Sequence, residues 1–408
     1  MTKNFYYLWI SQILSQVTVN VMNFLLLARL FTVTGSSIAT SFLWISYALP
    51  AIFLGPIGAA SVDFVDRRKI LLITNLLQAA TVLIYIFTHQ SSIFLLYFVV
   101  VAYSLLNQFY VPAEAASLPS LVSKQHLPRA NSLFFITQQV ALVAGFGLAG
   151  VIQRIVGFNS SLIACGAFLF IAFISVTFLP KLSPGKKVPK DLEKIITEFF
   201  ASILEGYRYI KGNKRILFPL LLFLGIQVSL AIIVVNLPAI GSQILKVAIN
   251  YAGILVVVPA GIGATLASVY FPRLLRQGMR KKKLIEISLG ILAFSLTGII
   301  FLVPYLPTGL RVIVNPLLVV LAGLGFVGVN MPTLTFLQEV TPLELRGRVF
   351  GNMWFLVTVI TIFPVLFSGV ITEFFGVRTL LTLMAVGTAV VFYLIRKKGN
   401  TWIQNSYQ

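Results

Sequence analysis

Residues 38–88 read IATSFLWISYALPAIFLGPIGAASVDFVDRRKILLITNLLQAATVLIYIFT. Two unbroken apolar runs, 38–61 and 69–88, flank a short stretch carrying Asp63, Asp66, Arg67, Arg68 and Lys69. A helix needs about 20 predominantly apolar residues to cross the hydrocarbon core of a bilayer, and both runs reach that length. In lipid the backbone must satisfy its own N–H and C=O groups, within helices or within a closed barrel. A barrel strand alternates apolar and polar residues over about ten positions. These runs are continuous instead, so they read as helices joined by a charged turn at one membrane face.

The pattern repeats in both directions. The spans fall at about 5–32, 38–61, 69–88, 92–116, 132–153, 158–180, 215–240, 247–272, 284–304, 311–337, 349–373 and 377–395. Composition agrees with twelve helices. Of the 408 residues 58% are hydrophobic and only 10% charged, and the mean hydropathy is +0.96, whereas a soluble domain carries about 25% charged residues. A water-soluble enzyme, a disordered chain and a disulfide scaffold are all excluded. The first stretch, Phe5 to Thr32, exceeds a signal-peptide core of about 7–15 residues and is kept as a span. Cys165 is the one cysteine and lies within an apolar run, and His89 and His126 fall in loops, so no disulfide, metal site or cofactor is expected.

The net charge of +20 is an orientation signal. Loops on the side of the N-terminus hold 26 Lys and Arg; those on the other side hold four, Arg154, Lys246, Arg311 and Arg378. Positive loops stay cytoplasmic, so both termini are expected inside, in a multi-pass protein of the cell (plasma or inner) membrane. The basic excess lies beside anionic lipid rather than marking a nucleic-acid partner. Residues 1–180 and 215–398 form two six-span halves, followed by a cytoplasmic tail, 399–408. The linker 181–214 opens with KLSPGKKVPK and continues as an amphipathic helix through Leu192, Ile196, Phe199, Ile203 and Tyr207, suited to the membrane surface. At an offset of 218 the halves echo each other, with Val122 on Val340 and Leu127 on Leu345. Parallel halves related by an axis along the membrane normal are a transporter design.

The turn GPIGAASVDFVDRRKIL, 55–71, places Asp63 and Asp66 beside Arg67, Arg68 and Lys69. A carboxylate at a helix end either pairs with the basic cluster or docks on a neighbouring helix N-terminus, whose dipole favours negative charge. The arginines alone read as cytoplasmic anchors; the two aspartates point to a gate. The turn resembles the signature between helices two and three of the major facilitator superfamily, in the form found in its macrolide-efflux and enterobactin-exporter branch. Thr34-Gly35-Ser36, Pro50, Gly55-Pro56, Pro112-Ala113, Pro119-Ser120-Leu121-Val122 with Ala130-Asn131, and Arg346-Gly347-Arg348-Val349 resemble the same branch. Phe64 stands where the signature has an arginine, Ala59 where it has a glycine, Glu114 where the branch commonly has a basic residue, and Val19 where many relatives carry an acid. The resemblance implies an all-α integral membrane fold of twelve helices in two pseudo-symmetric six-helix halves. It also implies a gate of Asp63, Asp66, Arg67, Arg68, Arg346 and Arg348, with Asp63 expected near Gly347 to Gly351. In span five, Gly145, Gly147 and Gly150 resemble the superfamily's antiporter motif, with Phe146 in place of its proline; close helix packing explains them equally.

Polar side chains inside spans are costly and usually face a cavity or a neighbouring helix. Gln12, Gln16, Asn20 and Asn23 make one stripe on span one. Ser104, Asn107 and Gln108 lie on span four, Gln227 and Asn236 on span seven, Asn315 and Asn330 on span ten. In the resembled fold these four spans line the central cavity, with Phe24, Trp44 and Tyr110 as aromatic neighbours here. Amides beside aromatics suit a neutral or amphipathic organic solute. Glu114 is the one acid within a cavity-lining span and away from its edges. It either takes up the proton that drives transport or pairs with a cytoplasmic arginine such as Arg129. Glu339 is expected to pair with Arg346 or Arg348, and Arg29 to snorkel outward rather than attract an anion.

A secondary active transporter explains these features together: a proton-coupled, monomeric exporter of a drug- or siderophore-like small molecule, working by alternating access. A uniporter or a lipid or lysolipid translocase of the same fold shares all but the antiport motif. A membrane enzyme would need a catalytic constellation, and no HExxH, GxSxG or intramembrane histidine occurs.

Overall fold

The computed structural model describes residues 2–88, 92–183, 197, 201, 214–341 and 343–402, with side chains at 214–215, 343–352, 354 and 398–402 outside the description. Among the described residues all regular structure is helical. The first six helices are α1 (Lys3–Thr34), α2 (Ser37–Ser61), α3 (Arg67–Thr88), α4 (Phe94–Leu121), α5 (Leu127–Val156) and α6 (Phe158–Thr177). Then come α7 (Lys214–Val235), α8 (Val258–Arg276), α9 (Lys281–Phe301) and α10 (Thr308–Val340). Leu343–Trp402 is one helical run broken at Gly376, whose φ of 81° and ψ of 154° no helix can contain. Its two parts are α11 (343–375) and α12 (377–402). Among the described residues eleven stretches are long and apolar enough to cross a membrane, the last of them, Phe355–Lys397, running through both α11 and α12. The chain is therefore a multi-pass membrane protein.

The sequence explains where helices start and stop. Thr2 caps α1 by accepting a bond from the Phe5 N–H, and Gly35 ends it at φ 65°, where its N–H reaches the Phe31 carbonyl. Asp66 caps α3, its Oδ1 accepting from the Arg68 N–H at 2.9 Å. Spans seven and eight differ from expectation. Regular α7 stops at Val235 rather than continuing to residue 240, because Pro238 removes a backbone donor. A π-helical turn, Ile240–Leu245, follows and ends at Lys246, φ 53°. The expected start of span eight, near 247, is instead a 3₁₀ turn, Ile249–Tyr251, and a π turn, Gly253–Val257, before α8 begins. The linker helix expected through Leu192 to Tyr207 lies outside the described residues.

The chain forms two compact units, Met1–Gly35 with Phe42–Phe200, and Ser36–Ser41 with Ala201–Gln408. In the first, α1 packs on α5 and α6, and α3 on α4 and α6. Its inner cluster joins Phe5 and Leu8 of α1 to Leu71 of α3, Tyr110 and Ala113 of α4, and Val176 of α6. In the second, α10 packs on α8 and α9, and Ile285 and Leu289 of α9 meet Ile395 of α12. The pairing of α3 with α4 and α6 is thus repeated by α9 with α10 and α12. Within this second unit Glu373 holds the start of α2: its Oε2 accepts from Ser36 Oγ at 2.6 Å and from the Ile38 N–H at 3.0 Å. A carboxylate at a helix N-terminus is favourably placed against the dipole.

Candidate functional site

In the first unit, α1 and α4 carry the expected amides. Asn20 is buried and donates to the Gln16 carbonyl one turn back at 2.7 Å. Its Cβ lies against Gly145 of α5, where any side chain would come within 2.4 Å. Gly147 and Gly150 are also buried on α5. Gln16 and Asn23 are half-buried. Gln12 is not part of an open stripe: it is buried, and its Nε2 donates to the Phe134 carbonyl, tying α1 to α5. Asn107 Nδ2 reaches the Tyr47 hydroxyl at 3.3 Å, and Gln108 Nε2 donates to the Ser104 carbonyl at 3.1 Å. Ser104 Oγ donates to the Tyr47 carbonyl at 2.6 Å, so α2 and α4 are joined at the level of the amides. Phe24 and Tyr110, expected as cavity neighbours, are fully buried in the packed interior of this unit, and Phe24 meets Phe146 edge-on.

Glu114, on α4, is 6% exposed. The Tyr110 hydroxyl one turn away faces its Oε1 at 3.5 Å. Among the described residues no cation forms an ion pair with Glu114, so the expected alternative, a bridge to Arg129, is not what holds it. A carboxylate this buried and lacking a cation is costly to keep ionised.

The charged turn is built into the first unit. Asp66 Oδ1 accepts from the Leu182 N–H as well as from Arg68. Arg67 donates to the Val62 and Ala116 carbonyls and to Ser120 Oγ, and Arg68 donates to the Thr177 carbonyl. The two arginines therefore tie together the chain just past α2, the last turns of α4 and the final residue of α6, whose carbonyl a helix C-terminus leaves open. The side chains of Arg346 and Arg348 lie outside the described residues. Among the described residues Glu339 pairs with Lys281 of α9, because α9 begins beside the end of α10. Arg29 lies over the Phe158 ring at 4.7 Å, at the turn between α5 and α6.

In the second unit, Gln227 Oε1 and Asn330 Oδ1 are buried and have no hydrogen-bond partner among the described residues. Asn315 Oδ1 is likewise buried without a partner among the described residues, but the amides of Asn236 and Asn315 also tie helices together. Asn236 donates to Ser368 Oγ and accepts from Thr372 Oγ1, and Asn315 donates to the Leu255 carbonyl. These two hold α7 to α11, and α10 to the π turn, respectively. Arg311, expected as a loop cation, is instead buried and donates to the Leu245, Pro304 and Leu306 carbonyls. Ser11, Asn75 and Gln78 went unnoticed; their signal was a buried polar face on spans one and three.

Among the described residues, long apolar helices in two units with repeated pairing, each unit carrying buried amides, match the design of a membrane transporter. A family model, Major Facilitator Superfamily, matches residues 8–365. The chain belongs to this superfamily, whose members carry small-molecule substrates. It is 26% identical to the MFS-type transporter YfiS of Bacillus subtilis (strain 168) over 356 residues, covering 85% of this chain and 81% of that one. It is 25% identical to macrolide efflux protein A of Streptococcus pyogenes over 223 residues, 53% of each chain. Among solved structures, the nucleoside transporter NupG superposes with a TM-score of 0.74 at 14% identity, over 97% of this chain and 99% of that one. A bacterial homologue of the iron transporter ferroportin, in its inward-facing state, gives 0.75 at 16% identity, over 98% and 99%. At those identities the likeness is one of fold.

Proposed function

We propose that this chain is a proton-coupled exporter of amphipathic organic solutes, drug- or siderophore-like, working by alternating access in the cell membrane. The observation that carries the reading is Glu114: a carboxylate 6% exposed on a helix that also presents Asn107 and Gln108, with no cation paired to it among the described residues. Such a group is neutral while occluded and ionises when opened to water, so a proton gradient biases the states between which the protein moves. Gln16, Asn20, Asn23, Asn107 and Gln108 in one unit, and Gln227 and Asn330 in the other, supply the polar contacts for the solute. The unpartnered oxygens Gln227 Oε1 and Asn330 Oδ1 are ready acceptors for a donor on it. The cluster of Asp63, Asp66, Arg67 and Arg68, with Arg346 and Arg348, serves as the cytoplasmic gate. The efflux direction and substrate class lean on the likeness to macrolide efflux protein A.

A growth-inhibition panel with and without the protein identifies a substrate, and everted vesicles then measure its uptake against an imposed pH gradient. The expected outcome is proton-driven accumulation that Glu114→Gln abolishes at unchanged expression. Transport that runs equally without a pH gradient would make the chain a uniporter or a lipid translocase of the same fold.

A further inference from the structure

Glu114 does not end at Tyr110. Tyr110 Oη lies 3.2 Å from Ser11 Oγ on α1, and Ser11 Oγ accepts from Asn75 Nδ2 on α3 at 3.1 Å. Tyr110, Ser11 and Asn75 are wholly buried. The chain thus crosses three helices with no water-exposed member except at Glu114. Its far end is ambidextrous. Asn75 Oδ1 has no hydrogen-bond partner among the described residues, and neither Oε1 nor Nε2 of the fully buried Gln78, one turn on, has one. On α1, Ser11 lies on a different face from Gln16, Asn20 and Asn23, so this is a second polar site, behind the solute-facing amides.

We propose that Glu114, Tyr110, Ser11 and Asn75 form a reversible hydrogen-bond chain that lets α1 and α3 respond to the charge on Glu114. This inference rests on the reading of Glu114 as the protonated group. With Glu114 ionised, every donor points one way: Asn75 N–H to Ser11, Ser11 O–H to Tyr110, Tyr110 O–H to the carboxylate. When Glu114 gains a proton from water, its carboxyl O–H donates to Tyr110 Oη. Tyr110 then donates to Ser11 Oγ, and Ser11 needs an acceptor. The Asn75 amide supplies one by turning its free Oδ1 to Ser11, and its N–H₂ moves to Gln78, which can accept through Oε1. No O–H bond beyond Glu114 breaks, and no hydroxyl acquires a charge. Each member keeps its bonds in both states, whereas a chain ending on an apolar side chain would strand a buried hydroxyl in one of them. Tyr110, Ser11, Asn75 and Gln78 are positioning residues in this device.

Around Glu114, α4 carries the titratable Tyr110 and Tyr103. From α3, Arg67 is committed to the Ala116 carbonyl and Ser120. The turn after α2 carries Asp63 and α5 carries Arg129, while α1 carries Tyr7, Gln12, Ser11 and Ser15, the last facing both tyrosines. Only Tyr110 makes a hydrogen bond to Glu114 among the described residues.

The test is infrared difference spectroscopy of the full-length protein in lipid nanodiscs between acid and alkaline pH. A protonated carboxyl C=O band that disappears in Glu114→Gln belongs to Glu114. Ser11→Ala and Asn75→Leu, on separate helices, are expected to shift that band to higher wavenumber, because each breaks the chain without touching Glu114. Ser11→Thr, which keeps the hydroxyl, is expected to leave it in place. A band unmoved by both Ser11→Ala and Asn75→Leu overturns the chain and leaves Glu114 as an isolated proton carrier. If Glu114→Gln removes no band at any pH, Glu114 never takes up a proton, and the coupling assignment falls along with the chain.

Discussion

At the scale of single residues, substitution can separate the structural role of the charged side chains between α2 and α3 from the gating role proposed for them. Asp66 caps α3 through the Arg68 N–H and holds the Leu182 N–H, both through one oxygen. Asp66→Ala is expected to lower stability by about 1 kcal/mol, the usual cost of losing an N-cap, seen as a lower melting temperature of the purified protein. Asn caps as well as Asp, so Asp66→Asn should keep most of that stability. If Asp66→Asn also keeps full transport, the carboxylate charge has no part in gating and the residue is a cap alone. Asp66 was legible in sequence as a charge at a helix end, but its partner was not. Leu182 is 116 residues away, and nothing in the local pattern announces that its N–H needs an acceptor.

Between helices, glycines carry the tightest contacts, and most were silent in the sequence. A Cβ at Gly263 on α8 would lie 2.0 Å from the Val320 carbonyl oxygen of α10, and one at Gly323 on α10 would lie 2.1 Å from the Ala260 carbonyl oxygen of α8. The two positions are reciprocal: backbone meets backbone, with no flexible side chain to give way. Gly263→Ala and Gly323→Ala are each expected to cost about 1–3 kcal/mol through overpacking, read as a loss of folded protein by fluorescence-detected size exclusion. Normal yields of both variants would mean that α8 and α10 are free to separate. On α5 the run from Gly145 to Gly150 was visible as a small-residue motif, and Gly145 does meet Asn20 closely. Helix existence was equally legible, because lipid demands long apolar runs and leaves little else. The distortion between α7 and α8 was not, since two π turns depend on how Gly241 packs against Ala252 across the bend rather than on any apolar period.

For the whole molecule, orientation follows from charge, and it is the property most open to direct measurement. Among the described residues Gly376 breaks the last helical run into α11 and α12, the division that a twelve-span chain requires. The sequence already separates spans 349–373 and 377–395, although the helical run through them, 355–397, is 43 residues long and apolar enough throughout to hide a loop. Had that run been one span, the termini would lie on opposite faces. Gly376, with a φ of 81°, interrupts the helix where Arg378 approaches the Tyr305 hydroxyl. The sequence expectation puts Arg378, Arg154, Lys246 and Arg311 at one face and the 26 cations of the other loops at the opposite one. Charge bias of this size fixes orientation during insertion. A cysteine placed at Ser91, in the Cys165→Ala background, is therefore expected to react with a membrane-impermeant maleimide on intact cells. One placed between residues 183 and 190, or a reporter fused after Gln408, is expected to read cytoplasmic. Labelling of the fused C-terminus from outside, with Ser91 labelled as well, would mean that the break at Gly376 does not turn the chain back across the membrane.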